Sequence, residues 1–153
     1  MVQNKKNQVL LQSSTDKITF NNIDINYVLK KKKAIRNWVN FVLTKENKAL
    51  GKIDYNFCTD KHLLKVNKLY LNHNTYTDII TFDLSDSDLV FADIYISIER
   101  VKENSLQLKN LFSDELLRVM VHGVLHLCGY KDKTPKDILQ MRKKENHYLS
   151  LLK

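Results

Sequence analysis

His122 and His126 stand four residues apart in the run His-Gly-Val-Leu-His-Leu-Cys-Gly-Tyr-Lys-Asp. On a helix, that spacing puts two side chains on one face with their Cβ atoms about 5–6 Å apart. Both imidazoles can then turn toward a single ion, which is the mechanical reason for paired histidines at this spacing in zinc enzymes. Val119, Met120, Val121, Val124, Leu125 and Leu127 make the helix apolar nearly all round, so it is expected to be buried. Gly129 supplies a left-handed stop, and the turn beyond it lets Asp132 swing back as a third, oxygen ligand. Three protein ligands leave one position open for water, the catalytic rather than the structural pattern. The expected cofactor is one zinc ion per chain on His122, His126 and Asp132, able to lower the pKa of a bound water from about 15.7 toward 7. A carboxylate ligand also admits manganese or nickel. Spacing fixes no acid beside the histidines, so the sequence names no general base.

The order of two histidines, a glycine and a third ligand is also that of the metzincin peptidases. Those enzymes carry Glu directly after the first His, as base for the zinc-bound water. Here that place is Gly123, which has no side chain to take a proton. The metal spacing is retained while the peptidase base is missing.

The stretch His122 to Asp132 resembles the H-G-x-L-H-L-x-G-Y-D-H signature of the YbeY endoribonucleases. The likeness extends upstream to Thr77-Asp78-Ile79-Ile80-Thr81-Phe82 and to Ala92-Asp93-Ile94-Tyr95-Ile96-Ser97, and covers about residues 50 to 145. Two positions depart from the family's pattern. Asp132 stands where the third ligand is usually His, and Leu71 follows Tyr70 where an Arg is usual. The resemblance implies a metal-dependent, single-strand-specific endoribonuclease of the cytoplasm. It would act in maturation of the small-subunit 3′ end of ribosomal RNA and in ribosome quality control. The implied partners are ribosomal RNA and the small ribosomal subunit, with no DNA and no membrane. Lys131 and Lys133, flanking Asp132, are candidates for RNA-phosphate contacts.

The elements that must hold these residues follow from periodicity and punctuation. Residues 17–20 read as a short strand, and a helix is expected from about Tyr27 to Lys48 with Ile35, Trp38, Val39 and Val42 inward and Lys30–Lys33 solvated. Gly51 is expected to close it, and Ile53, Tyr55 and Phe57 then alternate as a half-buried strand. Thr59 or Asp60 can cap a second helix to about Tyr70, with Leu63, Leu64, Val66 and Leu69 inward. Strands Asp78–Phe82 and Leu89–Ser97 are close enough for an antiparallel hairpin, while the earlier strands need parallel crossovers. Ser97 can cap a helix over 98–108, and Ser113 with Asp114 and Glu115 marks the start of the histidine helix. Thr134-Pro135-Lys136-Asp137 opens the last helix, which carries Ile138, Met141, Leu149 and Leu152. The expected fold is α+β: a mixed, roughly four-stranded sheet with about five helices, in a single domain over residues 1–153.

Composition sets the outer limits. Hydrophobic residues at 43% and charged ones at 27% suit a soluble globular protein, and 3 Gly with 1 Pro leave little room for linkers. Residues 1–16 are polar and lack the apolar core of a secretion leader, and no stretch approaches the roughly 20 apolar residues of a membrane span. The net charge of +8, from 25 basic and 17 acidic residues, favours a polyanionic partner. Cys58 and Cys128 are too few for a disulfide framework, and Cys128, two residues past His126, faces away from the histidine side as a core thiol. Of the other histidines, His62 and His147 read as capping or surface residues, whereas His73 lies in a loop that can approach the metal cleft. Besides the endoribonuclease, two functions fit these residues: a zinc peptidase of metzincin type, and a non-catalytic RNA- or ribosome-binding factor with a structural metal.

Overall fold

A computed structural model describes residues 17–152. Four strands and five helices alternate along it: β1 (Ile18–Asn22), α1 (Lys32–Lys45), β2 (Ala49–Cys58), α2 (Asp60–Leu71), β3 (Ile79–Asp83), β4 (Leu89–Ser97), α3 (Ile98–Leu108), α4 (Phe112–Leu127) and α5 (Pro135–Ser150). The sheet order is β1-β2-β4-β3. β1 runs parallel to β2 and β2 to β4, whereas β3 and β4 form the antiparallel hairpin. The α+β expectation holds, with parallel strands joined through helices and adjacent ones through a turn.

The sheet is covered on both sides. Ile53, Tyr55 and Phe57 of β2 and Val90, Ala92, Ile94 and Ile96 of β4 belong to one large buried cluster with Trp38, Val39, Val42 and Leu43 of α1 and the apolar residues of α4. A smaller cluster joins Cys58, Ile80, Leu63 and Val66, with Phe82 and Tyr95 against it. The end of β2 is therefore buried on both faces, Asn56 and Cys58 included, and is not the half-exposed strand its alternation suggests. At such a position a strand reads as continuously apolar because helices lie above and below it.

Several sequence boundaries shift. α1 begins only after Lys31, whose φ of 58° breaks the helix that the pattern from Tyr27 suggests. It ends at Lys45, and Gly51 lies inside β2, where the register slips between Leu50 and Lys52. A Cβ on Gly51 would stand 2.6 Å from the Phe91 ring, so close approach, not helix termination, accounts for the glycine. Leu69 is 68% exposed and points away from the core that Leu63 and Val66 enter. Ile138, expected inward on the last helix, is also exposed. α4 starts at Phe112 with Leu111 at its cap and no side-chain bond, so Ser113 does not cap it. Thr59, Ser97 and Thr134 do cap their helices, and Thr134 with Asp137 forms a reciprocal capping box. Residues 1–16, read above as polar, lie outside the described residues.

Candidate metal centre

α4 carries nine buried residues, and His122 and His126 sit half-buried on the face that leaves the core. The helix stops as its sequence dictates. Gly129 takes φ 99°, its N–H donates to the His126 carbonyl, and the Tyr130 N–H donates to the Leu125 carbonyl. These two bonds make a Schellman motif, which reverses the chain within a few residues. Asp132 is thereby carried back over the two rings. His122 Nε2 and His126 Nε2 are 3.0 Å apart, and Asp132 Oδ2 lies 3.2 Å from the first and 3.1 Å from the second. Donors about 2.0–2.2 Å from a tetrahedral ion stand roughly 3.3–3.5 Å from one another. The triangle is within a few tenths of an ångström of that size, and two imidazole nitrogens with one carboxylate oxygen are a donor set that suits zinc. Among the described residues, this is the group of His, Cys, Asp and Glu placed to hold an ion.

Each imidazole is fixed through its other nitrogen. His122 Nδ1 lies 3.0 Å from Glu145 Oε2, on α5. His126 Nδ1 lies 2.9 Å from the Tyr130 carbonyl, which can only accept, so that nitrogen carries the hydrogen and Nε2 offers its lone pair. Glu145 is 4% exposed and is held in turn by Arg118 Nη1 at 3.1 Å and Arg142 Nη1 at 3.4 Å. Burial works against its charge, but the bonds from His122 and Arg118 outweigh it and hold the carboxyl below its ordinary range. Burial likewise works against a charged His122, and Glu145, followed by Asp132 and Asp78, more than offsets it, so the imidazole binds a proton above its usual value. Tyr130 is anchored at its other end, where its hydroxyl donates to Glu46 Oε2 at 2.8 Å beside Lys144 at 3.0 Å from Oε1. That carboxylate ties the end of α1 to the metal loop and to α5.

Two cavities meet at the triad. The larger, about 540 Å³, runs from His122, His126 and Asp132 to Asn67, Leu71 and His73. The smaller, about 330 Å³, holds Arg118, Arg142, Glu115 and Glu145. His122, Asp132 and Asp78 line both. Burial raises the Asp78 carboxyl above its ordinary value, with His122 pulling the other way. Asp78, Glu145 and Arg118 were not identified by spacing. The one available signal was for Glu145, which shares the i, i+4, i+7 face of α5 with the buried Met141 and Tyr148.

Of the other residues singled out in the sequence, His73 lines the larger cavity and so does Leu71. Lys131 and Lys133 are exposed on either side of Asp132 and line neither cavity. His62 stacks on Tyr95 and His147 is exposed. Cys128 packs half-buried against the core, where burial pushes its thiol up to about 12. Gly123 faces the sheet. A Cβ there would come within 2.9 Å of Ile79 Cδ1 and 3.0 Å of Thr81 Oγ1. The position that holds the peptidase glutamate in metzincins thus faces tightly packed side chains of the sheet and not the metal cleft.

The family described as endoribonuclease YbeY matches residues 15–153. The chain is 52% identical over 130 residues to endoribonuclease YbeY of Flavobacterium psychrophilum, covering 85% of this chain and 93% of that protein. It is 52% identical over 116 residues to the endoribonuclease YbeY of Karelsulcia muelleri, covering 76% of this chain and 82% of that one. The solution structure of TM1509 from Thermotoga maritima superposes with a TM-score of 0.59 at 26% identity over 88% of each chain.

Proposed function

The chain belongs to the endoribonuclease YbeY family, and from that premise we propose that it is a metal-dependent, single-strand-specific endoribonuclease acting in ribosomal RNA maturation. The observation that supports the metal is the convergence of His122, His126 and Asp132 to within 3.2 Å of one another at the floor of a cleft. Zinc is the ion that two imidazoles and a carboxylate fit best, and when bound it would supply Lewis acidity and an acidified water at neutral pH. Glu145 and the Tyr130 carbonyl orient the two rings before any ion arrives, so little conformational freedom is lost on binding. Asp78 lines both cavities beside the triad, outside the ligand set and without the arginine partners of Glu145, and it is the group we assign to hold a proton there. The open cleft admits an unpaired strand, with Lys131 and Lys133 placed outside it to meet flanking phosphates. The cytoplasm and the small ribosomal subunit, near its 3′ end, are the setting that family membership implies, together with ribosome quality control. Among the described residues no helix is long and apolar enough to cross a membrane.

The test is cleavage of a single-stranded RNA by the purified protein with its metal content measured, alongside His126→Ala. Joint loss of metal and of cleavage is the expected result. Cleavage undiminished in a variant that no longer binds metal would remove the proposal.

A further inference from the structure

The larger cavity is poorly furnished for a substrate that is a polyanion. Asp78, Asp83 and Asp132 line it, and no Lys or Arg does so among the described residues. The two arginines near the triad lie in the smaller cavity, and both are engaged by Glu145. Leu71 brings no charge. Thr77 donates its hydroxyl to the Ile79 carbonyl, and the Asn67 amide donates to the Thr75 carbonyl, which leaves short neutral hydroxyls on Thr75 and Thr81. One longer donor remains. Among the described residues, His73 is the sole imidazole lining this cavity outside the metal triad, in a wall otherwise made of aliphatic, acidic and short neutral polar side chains.

The loop that bears it is built to hold it in place. Asn72 takes φ 54° as the cap of α2, and the His73 N–H bonds back to the Asn67 carbonyl at 3.3 Å. Asn67, 3% exposed, also grips the far side of the loop through its side chain, 2.8 Å from the Thr75 carbonyl. A single buried asparagine therefore pins the backbone on both sides of His73. The imidazole itself makes no hydrogen bond within the described residues, so its donor is available to a ligand.

We propose that His73 is a further catalytic residue of this cleft, its imidazole N–H donating to the phosphate that the metal triad faces. The assignment rests on the endoribonuclease reading for the identity of that phosphate. A donor to a phosphate oxygen strengthens binding of the bound strand and strengthens further as phosphoryl charge develops, and losing one typically lowers kcat/KM by roughly 100-fold.

The experiment compares the full chain with His73→Ala, His73→Phe and His73→Gln on a single-stranded RNA oligonucleotide. It measures kcat/KM, zinc content and Tm, together with binding of a fluorescent oligonucleotide in chelator, where no cleavage occurs. The exposed side chain makes these substitutions compatible with folding. Ala and Phe should lose roughly 100-fold in kcat/KM at unchanged zinc content and Tm, while Gln, which keeps an N–H at similar reach, retains within about tenfold of the parent. Ala within threefold of the parent, or Phe as active as Gln, would overturn the assignment. If the parent cleaves no RNA, the endoribonuclease reading fails by itself and the binding arm decides: affinity weaker by about tenfold in Ala and Phe but not in Gln upholds the His73 contact, and equal affinities reject it.

Discussion

At the scale of single residues, the centre depends on groups whose neighbours set their charge. Asp78 is the clearest case, since it lines both cavities and burial raises its carboxyl above the ordinary 3.8. In the unfolded chain it releases its proton near that value; in the fold it does so only at higher pH. The native state therefore binds more protons across the interval, and stability declines as pH rises from 3.8 through the folded value. Replacing Asp78 with Asn removes that penalty. The variant should be more stable at neutral pH by on the order of 1 kcal/mol, with the gain gone below the unfolded value. If Asp78 also handles a proton in cleavage, the same variant should lose about 100-fold in kcat while keeping its metal. Chemical denaturation across pH and single-turnover cleavage read the two effects separately. A variant less stable than the parent at neutral pH would contradict the sign. Residues of this kind were not legible in the sequence. Asp78 stands at the start of a short strand and Glu145 in the run Arg-Lys-Lys-Glu-Asn-His, and no spacing there marks either as part of a site.

At the scale of elements, what was legible is what local chemistry alone decides. Spacing four, a glycine in the left-handed region and a Thr-Pro-x-Asp cap are local signals, and α4, its Schellman turn and the start of α5 follow from them. What depends on a distant neighbour was misplaced: the start of α4 beyond a cap it does not use, Gly51 under the Phe91 ring, and Leu69 turned outward. Gly123 combines the two. Its type was plain from the sequence and significant for the absent base, but its reason is the contact of α4 with β3. A methyl there would press on Ile79 and Thr81, and overpacking of this sort costs about 1–3 kcal/mol, against a gain of up to about 1 from helix propensity. Gly123→Ala should therefore lose on the order of 1 kcal/mol of stability, and because α4 is levered off the sheet, zinc affinity should fall with it. Gly123→Glu adds a buried carboxylate to the same overpacking and should lose several kcal/mol of stability. A folded Glu variant with peptidase activity would show that α4 is free to move off the sheet.

At the scale of the whole molecule, the question is what the metal does for the fold. The two buried clusters are complete without an ion: they join α1, α4 and α5 to one face of the sheet and α2 to the other. The triad spans only residues 122–132, and that segment is already tied to distant elements without an ion, through His122 to Glu145 on α5 and through Tyr130 to Glu46 at the end of α1. An ion gripped there adds a tie between α4, its loop and α5 but closes no core. Its contribution should be that of an ordinary bound ligand, about 2.7 kcal/mol when free zinc exceeds its dissociation constant 100-fold. For a chain of 153 residues that corresponds to roughly 5–10 °C in Tm. Chelation should lower the melting temperature by that amount, leave far-ultraviolet circular dichroism intact at 25 °C, and reverse when zinc is returned. A chain that unfolded on chelation would mark the ion as a structural staple and favour a binding factor over an enzyme. A chelated chain that stays folded, still binds RNA and regains cleavage with zinc is what an open, three-ligand site on a finished scaffold requires.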